Sequence, residues 1–183
     1  MAMPDEFLVV VDMQTVFADP ASPWYLPSFA QTASSIAALL PHFAGRTIFT
    51  RFVPPVQVGG SWLPYYSKWN FATAVGRDDA VWSLVSPWED QPSIDSHQFS
   101  KSVPALYDIT GPHPHLAICG VSTDCCVLGT ALAAVDAGAH VRVITDACGA
   151  KTPEIQRQSL QLLAARAPML TLSTGAGLIN VTA

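Results

Sequence analysis

"HLAICGVSTDCCVLGTALAAVDAG", His115 to Gly138, decides how this chain folds. Its first seven residues, His115 to Val121, are a near-continuous apolar run, the pattern of a strand buried on both faces. From Thr123 the spacing changes. Val127, Ala131, Ala134 and Val135 fall on one face of a helix, and Gly138 stands where a C-terminal cap belongs. A buried strand therefore turns directly into a helix, with two adjacent thiols, Cys125 and Cys126, at the turn.

The same alternation extends in both directions. Phe7–Asp12, Arg46–Arg51, Ile94–Lys101, His140–Ala147 and Met169–Thr174 read as further strands, the third more polar than the rest. A helical pattern begins at Ser28, with Phe29, Ala33, Ile36, Ala37 and Leu40 in phase. Thr152, Pro153 and Glu154 read as N-cap, first-turn proline and first-turn acid of a last helix. Strands separated by helices imply a parallel sheet covered on both faces. The expectation is a single-domain, doubly wound (Rossmann-like) α/β fold over residues 1–183.

Composition narrows the function classes. Half of the 183 residues are hydrophobic and 13% are charged, which predicts much buried surface and a homo-oligomer, dimer or tetramer. With 9 basic against 14 acidic residues, net −5, no basic run is available for nucleic acid or an anionic membrane. No stretch approaches the roughly 20 apolar residues that span a bilayer. "MAMPDEFLVVVDMQ" lacks a basic leader region and meets Asp12 early, so the expected location is cytoplasmic. The four cysteines, Cys119, Cys125, Cys126 and Cys148, suit neither a disulfide framework nor a tetrahedral zinc site. "TGAG", Thr174 to Gly177, lacks the third glycine and downstream acid of a dinucleotide turn, and no nucleotide cofactor is expected.

In open parallel sheets, ligands bind outside the carboxyl ends of the strands. The polar residues expected there are Asp12, Arg51, Lys101 and the Cys125–Cys126 turn. An acid, a base and a thiol thus converge on one edge. A cysteine at a helix start gains thiolate character from the free N–H groups, and these also suit an oxyanion. An aspartate beside it suits proton transfer. The helix start alone does not choose between the two thiols. Residues 52–92 form a long connection carrying Trp62, Trp69, Trp82 and Trp88, read as a hydrophobic cluster, an oligomer contact or a pocket wall. From it Trp62, Tyr66 and Trp69, with Phe17, are candidate substrate-binding residues for a small, neutral or partly apolar molecule.

"VVVDMQTVF", the "SK" ending at Lys101 and "GVSTDCCV" together resemble the cysteine hydrolase, or isochorismatase-like, superfamily, from Phe7 to about Gly175. The resemblance implies Asp12, Lys101 and Cys126 as the catalytic triad, Cys126 because it directly precedes Val127. It also implies a cis Val121–Ser122 bond and an oxyanion hole formed by the N–H groups of Ser122 and Cys126. A depressed Cys126 pKa is expected. The implied activity is hydrolysis of a small amide-type C–N bond through a thioester, without cofactor. Isochorismatase-type vinyl-ether cleavage, or a non-catalytic or redox module on the same fold, are the alternatives. The metal-dependent nicotinamidases of the superfamily carry an Asp and two His after the second strand. "RFVPPVQVGGSWLPYYSKW" has neither, so no metal is expected. Arg51 is a candidate for the substrate side or a loop anchor.

Overall fold

The computed structural model describes residues 5–179; the first four residues of the "MAMPDEFLVVVDMQ" stretch lie outside it. Six strands form one sheet in the order β3-β2-β1-β4-β5-β6, every pairing parallel: β1 (Phe7–Val11), β2 (Thr47–Phe52), β3 (Ser93–Ser96), β4 (His115–Val121), β5 (His140–Gly149) and β6 (Leu170–Ser173). The helices are α1 (Thr15–Ala18), α2 (Phe29–Leu39), α3 (Trp62–Lys68), α4 (Phe71–Ala74), α5 (Pro104–Thr110), α6 (Leu128–Asp136), α7 (Pro153–Ala164) and α8 (Gly175–Ile179). α2 packs on β4, β5 and α8, whereas α6 packs on β5 and α7. The doubly wound parallel fold expected from the alternation is therefore present. Among the described residues, no helix is long and apolar enough to cross a membrane.

Central strands are apolar because both of their faces are covered. Leu8 to Val11 and Leu116 to Val121 are all buried. The cap expected on α7 is made: Thr152 Oγ1 accepts from the Ile155 N–H at 3.2 Å. Gly138 closes α6 at a φ of +86°.

Strand order reverses between β1 and β4, which leaves a crevice at their carboxyl ends. Gly120 lets the two strands approach there. Its φ is +114°, and a Cβ at this position would lie 2.1 Å from the Val11 carbonyl oxygen. Only glycine fits.

The third strand differs from expectation. It ends at Ser96, and Lys101 lies on the connection to α5. The polar sequence beyond Ser96 prefers local turns to an edge ladder: Ser96 Oγ accepts from the Gln98 N–H and Ser100 Oγ from the Ser102 N–H, each at 3.1 Å. Lys101 is held instead by α6, through its backbone N–H on Thr130 Oγ1 at 2.8 Å.

Candidate active site

Asp12 leaves β1 at the crevice with a φ of +53° and is fully buried. Its Oδ1 accepts from Thr50 Oγ1 at 2.8 Å. Its Oδ2 lies 3.2 Å from Lys101 Nζ and accepts no hydrogen bond. Lys101 is also fully buried; its ammonium donates to the Gln98 carbonyl at 2.9 Å and stands 5.2 Å above the Phe52 ring. Two charges out of water hold each other, and the second carboxylate oxygen keeps a lone pair for another proton donor.

Across the crevice, β4 ends in a cis Val121–Ser122 bond, the one the resemblance implies. The chain then makes a wide turn over Thr123–Val127 before α6 begins. The N–H groups of Cys125 and Val127 both donate to the Ser122 carbonyl, each at 3.1 Å. This turn sets Ser122, Asp124, Cys125 and Cys126 on one side of a cavity of about 310 Å³. Thr130 Oγ1 donates to the Cys126 carbonyl at 2.6 Å and accepts from the Lys101 N–H, so one threonine ties the thiol's backbone to the lysine's.

The Cys126 thiol is pushed well above its ordinary pKa. A hydrogen bond that its S–H donates to its neighbour Cys125, burial and the charge of Asp12 all raise it, and Lys101 opposes them. This corrects the expectation of a depressed value. The helix start is present, but a buried anion beside a carboxylate costs more than one lysine returns. At rest the group is a protonated thiol.

The opposite wall of the cavity is aromatic: Phe17, Trp24, Phe52, Tyr65, Trp69 and Phe99 line it. Phe17 and Trp69 are therefore where the sequence reading places them. Trp62 and Tyr66 are not. They pack behind the wall, Trp62 4.9 Å from Phe99 and 5.8 Å from Tyr66 between ring centres. α3 turns Tyr65 to the cavity instead. Arg51 is not at the cavity either: its Nε and Nη2 clamp Asp95 at 2.8 and 2.6 Å, across the register of β2 and β3. It is an anchor, chosen by geometry over the substrate role. Of the other tryptophans, Trp82 is core and Trp88 packs 5.8 Å from Phe49.

Sequence reading missed Trp24 altogether. It lies in the segment between α1 and α2, where no periodicity marks it. Its ring stacks 6.0 Å from Phe17 and meets Phe52, Trp69 and Phe71 edge-on. Lys151 Nζ donates to the Tyr25 carbonyl at 2.7 Å and Ser28 Oγ to the Ala150 carbonyl at 3.1 Å, so the turn after β5 pins the last part of that segment at two points.

The donors for a metal are absent from this wall. Gln57, Ser61, Tyr65, Tyr66 and Ser67 occupy the connection after β2, and none is a strong ligand for zinc, iron or manganese. Among the described residues, no three His, Cys, Asp or Glu side chains come together as a metal site. The residues present do not fit a metal, and the chemistry below uses none.

Comparison with known proteins agrees with this architecture. The isochorismatase domain model matches residues 6–174. The chain belongs to the isochorismatase-like family of hydrolases. No curated protein matches it significantly in sequence. Among solved structures, it resembles a cysteine hydrolase from Pseudomonas syringae pv. phaseolicola, at 23% identity over 96% of this chain and 91% of that one, TM-score 0.80. An isochorismatase family protein from Desulfovibrio vulgaris is similar at 22% identity over 97% of both chains, TM-score 0.77. The pyrazinamidase of Pyrococcus horikoshii, solved in complex with zinc, aligns at 19% identity over 93% of this chain and 99% of that one, TM-score 0.70. At these identities the shared property is the fold.

Proposed function

We propose that the protein hydrolyses a small amide-type C–N bond without cofactor, with Asp12, Lys101 and Cys126 as its triad. The observation that carries the reading is the fully buried Asp12–Lys101 pair, whose charges act on the Cys126 thiol at the cavity wall. As Cys126 Sγ bonds to the amide carbon, its proton passes to the open Oδ2 of Asp12. The oxyanion that forms is held by the N–H groups of Ser122 and Cys126. Asp12 then gives the proton to the departing nitrogen as the C–N bond breaks, leaving a thioester and a free amine or ammonia. A water molecule attacks the thioester and gives its proton to Asp12. The C–S bond breaks, the acid leaves, and the thiol recovers its proton from Asp12.

Lys101, 3.2 Å from Asp12 Oδ2, holds that carboxylate in place and offsets the charge that gathers around the sulfur. The aromatic wall supports a substrate with an apolar body. The reading extends to a cytoplasmic homo-oligomer, which light scattering on the purified chain tests. Its main test is a screen of small amides for released ammonia, with Cys126→Ala as control and a second arm after dialysis against a strong chelator. Release that depends on Cys126 and survives the chelator is expected. Release unaffected by Cys126→Ala, or lost with the metal and restored by zinc, iron or manganese, overturns it.

A further inference from the structure

The cavity has an apolar wall, and its charged rim groups are already engaged. Lys151 donates to the Tyr25 carbonyl, and Asp124 accepts from Ser122 Oγ. Among the described residues, three polar groups on the aromatic wall are not engaged: the indole N–H groups of Trp24 and Trp69 and one hydroxyl. Tyr65 lines the cavity, and among the described residues its hydroxyl has no hydrogen-bond partner. Its neighbour Tyr66 has an unpartnered hydroxyl too, but that atom is sealed from solvent. Tyr65 is half-buried, and its ring is held by Trp62 at 5.2 Å, Tyr66 at 5.2 Å and Phe99 at 5.5 Å. A tyrosine so packed ordinarily finds a partner for its O–H.

We infer that Tyr65 is a specificity residue of this site, donating its phenol hydrogen to an acceptor oxygen or nitrogen that the substrate carries away from the scissile amide. The inference rests on the amide-hydrolase reading and deepens it: the substrate is an amide with an apolar body bearing one hydrogen-bond acceptor. Burial and the two nearby thiols push the Tyr65 pKa far up, so the hydroxyl stays a donor and takes no part in proton transfer at neutral pH. Its place on the wall also gives a reason for selectivity. A substrate without an acceptor leaves a desolvated phenol unpaired, and sites built to bond a polar group discriminate against analogues that lack it.

The test uses pairs of ring-substituted benzamides, methoxy against ethyl at the 2, 3 and 4 positions. Each pair changes an acceptor oxygen for a methylene at nearly constant size. Binding is measured by calorimetry on the full chain carrying Cys126→Ala, with Tyr65 intact and with Tyr65→Phe. At one position or more, the methoxy compound is expected to bind about 3–10-fold tighter when Tyr65 is intact, the size of one neutral hydrogen bond. That advantage disappears in Tyr65→Phe, and the ethyl compounds bind this form at least as tightly, since it leaves no phenol unpaired. Equal affinity within every pair, an advantage that survives Tyr65→Phe, or no binding by any compound overturns the inference. Because cleavage is blocked in this background, the outcome does not depend on turnover. Failure of the hydrolase reading shows separately, as wild-type protein that binds amides and releases no ammonia.

Discussion

At the scale of single residues, the site is organised by a thiol that resists ionisation. Asp12 raises the Cys126 pKa and Lys101 lowers it, so removing each moves the thiol in opposite directions. Asp12→Asn is therefore expected to react faster with iodoacetamide near pH 7 than the wild type while losing turnover. Lys101→Met reacts more slowly. Wild-type labelling at Cys126, followed by peptide mapping, rises mainly above the ordinary thiol range of about pH 8.5–9. If both variants shift the labelling profile the same way, the electrostatic account of the triad fails.

The two thiols also separate by function. Cys126→Ala is expected to lower amide turnover by about a thousandfold or more, as loss of a nucleophile does. Cys125→Ser leaves turnover within about tenfold of wild type, since its part is to perturb its neighbour. Equal losses in the two variants would return the question of which cysteine attacks. Stability adds a further contrast. Lys101→Met leaves the Asp12 carboxylate buried without its counter-ion, at a cost of about 3–5 kcal/mol in urea unfolding.

At the scale of elements, the crevice depends on how strand ends are tied together. Gln14, fully buried after β1, donates to the Phe52 and Trp82 carbonyls at 2.9 and 2.6 Å and accepts from the Phe52 N–H at 2.8 Å. One amide thus joins β1, β2 and the end of the long connection. Gln14→Leu strands three buried backbone groups, each worth about 1–3 kcal/mol, and is expected to destabilise the chain by roughly 3 kcal/mol or more. Chemical denaturation measures this, and a change under about 1 kcal/mol would show that water replaces the amide. Phe52 also lines the cavity, so surviving protein should bind amides more weakly. The long connection illustrates how element-scale packing sorts similar residues. Trp82 and Trp88 enter the core, Trp62 supports the wall and Trp69 faces the cavity. Their spacing in the chain does not distinguish those fates.

At the scale of the whole molecule, burial of thiols links folding to alkaline pH. Cys119, Cys126 and Cys148 are all buried with pKa values raised, Cys148 to about 12. The folded chain keeps these protons where the unfolded chain releases them. Above the unfolded thiol pKa of about 8.5, the unfolded state therefore binds fewer protons, and stability falls as pH rises. The contribution is complete below that point and is lost progressively through the folded values. Urea unfolding at pH 7, 9 and 10.5 should show stability nearly level to pH 8 and declining beyond 9. A flat profile through 10.5 would contradict the burial assigned to these thiols.

The alternating apolar runs by themselves determined the parallel fold, because a strand covered on both faces has no room for polar residues. They placed Asp12 and the Cys125–Cys126 turn at the carboxyl edge, since each directly follows such a run. The motifs and their family likeness distinguished Cys126 from Cys125, which the helix start alone does not do. Four things only the tertiary structure decided. Lys101 reaches Asp12 from beyond a short edge strand, held by Thr130 of α6. Arg51 is consumed by Asp95 across the sheet. The wall takes Tyr65 and Trp24 in preference to Tyr66 and Trp62, because the orientation of α3 and the docking of the segment before α2 set which rings face inward. The Cys126 thiol is raised because the hydrogen bond to Cys125, burial and the charge of Asp12 from β1 outweigh the opposing charge of Lys101. Local sequence specifies backbone form through short-range periodicity. A pKa, or the facing of a ring, sums contacts between segments far apart in the chain.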